Sequence, residues 1–337
     1  MADGAHLQGV VADERNGLSE LSTMIARQAE AIGQIAGLDV SPAAQRLQGA
    51  GSILLVGTGT SQHAAELGAF QLRSGGVPAR SAAAAEIARW GGIRDDEAVI
   101  VISHTAETAF AQRCREQAIK AGRPFVSITG PESGWSEAIA TPVKERSETY
   151  TVSYLSALAV LGLIAHELAG VDSGPAALRS LAEQIRETAA DPRIEEVPVP
   201  ARAMAIVGVG PWAVTAREGA LKIREAARIL CEGFDAERLL HGAAVPYGSA
   251  DALVLIEPGA DPDRLLGALG RAAREEGIPV CELAQDLPPR SPFLDQFALT
   301  VRLQALANRF ATLRRTNPDE AIVGAWADDE LWHLGAP

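Results

Sequence analysis

Glu225 and His241 are the residues of this 337-residue chain whose types and spacing most directly suggest chemistry. Glu225 closes the stretch Arg217-Glu218-Gly219-Ala220-Leu221-Lys222-Ile223-Arg224-Glu225, and His241 follows sixteen positions later in Leu239-Leu240-His241-Gly242. A carboxylate can carry a proton between adjacent carbons and an imidazole can help open a sugar ring, because both can be tuned to exchange protons near neutral pH. Those are the two steps a sugar isomerisation needs. The spacing has a plainer reading too: Glu218 and Lys222 make an i,i+4 pair, Glu225 and Arg228 an i,i+3 pair, and His241 before Gly242 closes a helix. On spacing alone both readings stay open.

The elements that must position these residues come from a chain that repeats itself. Ile53 to Gly59 matches Met204 to Gly210 at an offset of 151, and Val99 to Ser103 matches Ala252 to Ile256 at 153. Gly122 to Val126 matches Gly277 to Cys281 at 155, and Thr141 to Lys144 lies near Ala298 to Val301 at about 157. Short apolar runs ending at Gly or Ser read as parallel strands buried on both faces, and the alanine-rich stretches Ser61 to Ser74 and Ala106 to Ala121 read as crossover helices. The expected fold is therefore α/β, with two tandem doubly wound parallel-sheet subdomains in three layers. Residues 1–50 are expected as N-terminal helices, 51–170 as the first subdomain, 171–200 as a connector, 201–315 as the second subdomain and 316–337 as a tail.

Ligands of open α/β sheets sit beyond the carboxyl ends of the strands, which directs attention to two loops. Gly57-Thr58-Gly59-Thr60-Ser61 and Ser103-His104-Thr105-Ala106-Glu107-Thr108 each lead into a helix and are rich in hydroxyls. Helix-terminal amides with Ser and Thr hydroxyls make an anion cradle suited to a sugar phosphate; the competing reading makes these residues ordinary N-caps. Gly57 and Gly59, like Gly208 and Gly210, also begin a dinucleotide fingerprint, but the third glycine position holds Gln62 or Ala213, and no acidic strand end follows at the usual distance.

Composition narrows the partners. A net charge of −13 excludes a surface built for nucleic-acid backbones, while a phosphorylated small molecule needs only local donors. Cys114, Cys231 and Cys281 are few and widely spaced, which fits reduced thiols in a cytoplasmic protein. The start Met1-Ala2-Asp3 carries no signal-peptide pattern, and the apolar run from Tyr154 to Leu168 reads as a buried helix and not a membrane span.

At the stretch Glu218 to Glu225 with His241 following, the chain resembles the SIS (sugar isomerase) family, in particular the isomerase half of glucosamine-6-phosphate synthase and the SIS-type glucosamine-6-phosphate deaminases. The resemblance runs from about Leu21 to Asp319. It implies that Glu225 is the proton-shuttling glutamate and that His241 is the ring-opening histidine, delivered by the partner subunit of a homodimer. It further implies that Thr60 and Ser61 form a sugar-binding loop, that Ser103, His104, Thr105 and Thr108 form a phosphate loop, and that Ser153 and Lys222 face the substrate.

The departures matter as well. The family's Ser-Gln-Ser-Gly-Glu-Thr loop has His104 and Ala106 here in place of Gln and Gly, and the tail lysine that forms an imine in the synthases corresponds to Trp326. Lys120, Lys144 and Lys222 are the only lysines, so the resemblance implies proton transfer with no tail imine and no cofactor. With Met1-Ala2 at the start and no cysteine before Cys114, the glutaminase half of the synthases is not expected here. The function implied is an isomerase or deaminase of a hexose 6-phosphate; the alternatives are a sugar-phosphate sensor that kept the fold, or an enzyme acting on a modified amino sugar.

Overall fold

Residues 19–256, 262–284, 286–288 and 290–337 are described by the structure, a computed structural model. In the first half β1 (Ser52–Gly57), β2 (Ala79–Ala83), β3 (Glu97–Ile102), β4 (Phe125–Thr129) and β5 (Ala138–Ala140) pair in parallel in the order β2-β1-β3-β4-β5. In the second, β6 (Ala203–Gly208), β7 (Leu230–Asp235), β8 (Ala252–Leu255) and β9 (Val280–Glu282) pair in parallel in the order β7-β6-β8-β9. Four strands thus follow one winding twice, and the two tandem α/β subdomains are copies of one another.

The repeated runs at β1 and β6, β3 and β8, and β4 and β9 are those strand pairs. The pair β2 and β7 has no apolar signature because both are edge strands with mostly part-exposed side chains. The fourth sequence match is corrected by the structure: Thr141 to Lys144 form a loop beyond β5, whereas Ala298 to Val301 lie inside α11 (Asp295–Arg314). The copies diverge after their fourth strand.

Helices complete the layers: α1 (Glu20–Ile35) and α2 (Ser41–Leu47) precede the first sheet, and α3 (Thr60–Ser74), α4 (Ala84–Trp90), α5 (Ala109–Lys120) and α6 (Val152–Ala169) accompany it. The next helix, α7 (Pro175–Ala190), leads to the second half with α8 (Pro211–Ala227), α9 (Ala236–Arg238), α10 (Leu265–Glu275) and α11, and α12 (Asp329–His333) lies in the tail. Among the described residues α6 alone is long and apolar enough to cross a membrane, and its Val152 to Ala165 are buried inside the protein. Cys114 and Cys231 are buried and unpaired, and burial pushes the Cys114 thiol up to about 12.

One apolar core joins the halves, running from Leu21 and Ile32 of α1 through Leu158 and Leu161 of α6 to Met204 of β6 and Phe297 of α11. This core fixes α8, a helix of the second half, against α3 of the first. The α8–α11 crossing is close because position 219 is glycine: a Cβ there would lie 2.5 Å from Leu303 Cδ1 and 2.9 Å from its Cβ. Gly219→Val is therefore expected to lower stability by about 1–3 kcal/mol through overpacking; an unchanged denaturation midpoint would show that the crossing has slack.

Candidate active site

A cleft of about 680 Å³ opens where β1 and β3 end, and α6, α8 and the tail supply its other walls. Gly57 is required at the strand-to-helix turn, since a Cβ there would collide with the backbone of Ser61, and Gly59 takes a φ of 57°. The Gly-x-Gly pattern is thus explained by the turn itself. It delivers Thr58, Gly59, Thr60 and Ser61 to the cleft.

The second loop brings His104, Thr105, Glu107 and Thr108 to the same cleft. Neither Gly59 nor Thr108 caps its helix through a side chain; in α3 the Ser61 and Gln62 amides donate to the carbonyls of Thr58 and Gly59, whereas the first-turn amides of α5 remain as anion donors. Ala106 stands in the left-handed region at φ 62°, where a glycine would rest freely. The alanine keeps the backbone shape at a cost of roughly 1–2 kcal/mol.

His104 is half-buried and its Nε2 accepts the backbone N–H of Glu145 at 3.0 Å, which puts the ring proton on Nδ1. Burial lowers its pKa to about 4, with Lys144 adding a smaller push in the same direction. Sequence reasoning missed Glu145, whose carboxylate accepts the N–H groups of Thr151 (2.8 Å) and Ser153 (3.2 Å) and the Ser153 hydroxyl (3.1 Å). Burial raises its pKa while those three donors oppose the rise. It organises the start of α6 and sets Ser153 on the cleft.

The densest electrostatics lie on α8. Glu218, Lys222 and Glu225 are spaced i, i+4 and i+7 and share one helix face. Lys222 Nζ is fully buried, 2.6 Å from Glu225 Oε2, 3.6 Å from Glu218 Oε1 and 3.0 Å from Thr60 Oγ1. Glu218 is also fully buried and accepts from Thr60 Oγ1 at 3.2 Å and pairs with His63 Nδ1 at 2.7 Å. Burial alone would raise the Glu218 pKa, but Lys222, His63 and Thr60 together hold it below the ordinary 4.5. For Glu225 burial outweighs the attraction of Lys222, the nearby Glu218 adds to the rise, and its pKa lies above 4.5.

Several sequence-predicted residues are placed differently from expectation. Lys222 does not line the cleft: it lies beneath it as the counter-ion of two carboxylates, which raise its pKa against the effect of burial. An ammonium held in this way is a poor nucleophile for a carbonyl. Ser103 is buried behind the loop, with its hydroxyl donating to Thr108 Oγ1 at 3.4 Å. Trp326 is 76% exposed and outside the cleft, whereas Ala327, Trp332 and His333 from the same tail line it.

His241 is absent from the cleft of its own chain. It sits in the short turn Leu239–Ala243, before Gly242 at φ 101°, with its side chain 78% exposed and Nε2 4.0 Å from Glu237 Oε1. Glu225, Thr60, Ser61, His104, Thr105, Thr108 and Ser153 do converge on the cleft. Glu148, Tyr150 and His333 join them without a sequence motif to announce them; His63, at i+3 from Thr60 on α3, carried a signal only in its helical spacing.

Residues 46–166 match the family model of the SIS domain. The chain is similar to SIS-domain proteins over that span. It is 28% identical over 303 residues to the glutamine–fructose-6-phosphate aminotransferase (isomerizing) of Thermococcus kodakarensis, covering 80% of this chain and 50% of the relative. The chain spans about half the length of the curated relatives it matches. The solved glucosamine-6-phosphate deaminase of Thermotoga maritima shares the fold with a TM-score of 0.78 and 19% identity, over 89% of this chain and 97% of that one. Tagatose-6-phosphate ketose/aldose isomerase of Escherichia coli does so with a TM-score of 0.77 and 15% identity, over 90% and 96%.

The lowered Glu218 pKa has a definite sign in stability. Its contribution is fully present above the unfolded value near 4.5 and is lost as pH falls through the lower folded value. Glu218→Gln is expected to cost about 3–5 kcal/mol at neutral pH, because Lys222 loses a buried partner. The variant's stability should then fall less steeply than that of the parent below pH 4.5; parallel acid limbs in denaturant titrations would argue against the buried pair as their source.

Proposed function

We propose that this protein is an aldose–ketose isomerase or aminosugar-phosphate deaminase acting on a hexose 6-phosphate, with Glu225 as the base that moves the proton between C1 and C2. The observation that carries the reading is the position of Glu225: on the cleft, anchored by Lys222 at 2.6 Å, and shifted by burial towards the pH range in which a carboxylate can both take and return a proton. Each relative named above has a hexose 6-phosphate in its name.

In this mechanism the sugar phosphate lies with its phosphate at the Thr105 and Thr108 loop and its C1–C2 end towards α8. Glu225 removes the proton beside the carbonyl. The enediolate oxygen that becomes negative is met by the Ser61 hydroxyl at the start of α3, since the Thr60 hydroxyl already donates to Glu218. Glu225 then returns the proton to the neighbouring carbon. Ring opening falls to the partner subunit's His241, because the His241 of this chain lies outside its own cleft. The working unit is then a homodimer with shared sites.

The walls favour a second substrate class within the same chemistry. Tyr150 and Trp332 give the cleft aromatic surface beside its hydroxyls, which suits a hexose phosphate bearing a bulky substituent. A panel of hexose 6-phosphates, aminosugar phosphates and glycated amino-acid phosphates, incubated in heavy water, separates the possibilities. Deuterium should enter C1 or C2 of at least one member; saturable binding with no exchange in any member would leave a sensor in place of the enzyme.

Glu225→Gln should retain ligand binding and lose at least about a hundredfold in rate. His241→Asn should slow a cyclic sugar more than its open-chain analogue. Mixing the two inactive variants should restore activity if each site takes His241 from the second subunit. Mixtures as inactive as either parent, despite subunit exchange, would contradict the shared site.

A further inference from the structure

The cleft is poor in positive charge for a site that receives a phosphate. Among the described residues no lysine or arginine lines it; its charged walls are the carboxylates Glu107, Glu148 and Glu225, and Lys222 is sealed beneath. His104 cannot supply the charge, because its Nε2 is occupied as an acceptor of the Glu145 N–H. The remaining lining side chain able to become cationic is His333.

His333 reaches the cleft on a tail that straps across it. At one end Arg228, just after α8, donates to the carbonyls of Glu320 and Ala321, and Glu148 accepts the N–H groups of Ala321 (2.9 Å) and Ile322 (3.2 Å). At the other end Gly335 lies against Phe110 in the first turn of α5, so closely that a Cβ would come 2.5 Å from the ring. The tail therefore runs from the helix that carries Glu225 to the helix that follows the Thr105 and Thr108 loop. His333 stands two residues before that second contact.

Its ring is already oriented. Nδ1 lies 2.7 Å from the Asp329 carbonyl, which can only accept, so Nδ1 carries a proton and Nε2 is the atom left for a ligand. We propose that His333, as an imidazolium, donates from Nε2 to the phosphate group of the substrate and closes from the tail side the cradle made by Thr105, Thr108 and the first turn of α5. The inference rests on the phosphosugar reading and adds to it the one charged contact that reading otherwise lacks.

The test compares full-length protein with His333→Gln by calorimetry at about pH 6, where imidazoles carry their proton, using inorganic phosphate and fructose 6-phosphate as probes. The substitution should weaken both ligands by about tenfold, the scale of a hydrogen bond to a charged group, with an unchanged far-UV circular dichroism spectrum. Equal affinities in the two proteins would overturn the role of His333 and leave the phosphosugar site standing. Parent protein that binds neither probe would overturn both.

Discussion

Burying one ammonium between two carboxylates on a single helix face is the constraint from which the rest of the site follows. Lys222 has no exposed side-chain surface, and taking such a charge out of water costs several kcal/mol unless opposite charge and hydrogen bonds accompany it. Glu218, Glu225 and Thr60 provide these, but two carboxylates against one ammonium leave an excess of negative charge. The excess is shared unequally. Glu218 has His63 and Thr60 as additional partners and stays ionised, while Glu225, on the cleft side, has Lys222 and a smaller attraction from Arg224 against burial. That asymmetry leaves one of two similar glutamates with a raised pKa, as the proposed base requires.

The duplicated fold explains why this cluster faces a cleft of the first half. Both β1–α3 and β6–α8 turns use a glycine at nearly the same φ, 57° at Gly59 and 58° at Gly210. After it the copies part: Thr60-Ser61 in the first, Pro211-Trp212 in the second. Proline removes an amide donor from the first turn of α8. The first copy kept the loops of a ligand site, and the second contributed the helix that runs beside them. The shared core formed by α1, α6, α8 and α11 holds the two contributions together.

Much of this was legible in the sequence because strands buried on both faces leave continuous apolar runs, which the repeat at β1, β3 and β4 and again at β6, β8 and β9 displays. The edge strands β2 and β7 were not legible, since they are only partly covered and carry Arg80 and Glu232 in their runs. The two hydroxyl loops were found from their place after strand ends. The resemblance puts Lys222 on the substrate, but its place in the motif does not give the depth of that helix face in the protein. Alignment with the tail motif gives Trp326 the lysine's position but not its placement; a turn at Gly324–Ala327 and the short α12 bring Trp332 and His333 to the cleft. Glu145 and His63 escaped notice because each acts through a partner distant in sequence, Thr151 and Ser153 in one case and Glu218 in the other.

The central claim is that the buried cluster tunes Glu225. Carbon-13 NMR titration of carboxyl-labelled glutamate, assigned to Glu225 by comparison with Glu225→Gln, measures this directly in the full chain. The account predicts titration above the ordinary 4.5 in the parent, and a further rise in Lys222→Met, where the attraction that partly offsets burial is removed. Titration of Glu225 at or below 4.5, or no movement on loss of Lys222, would contradict it.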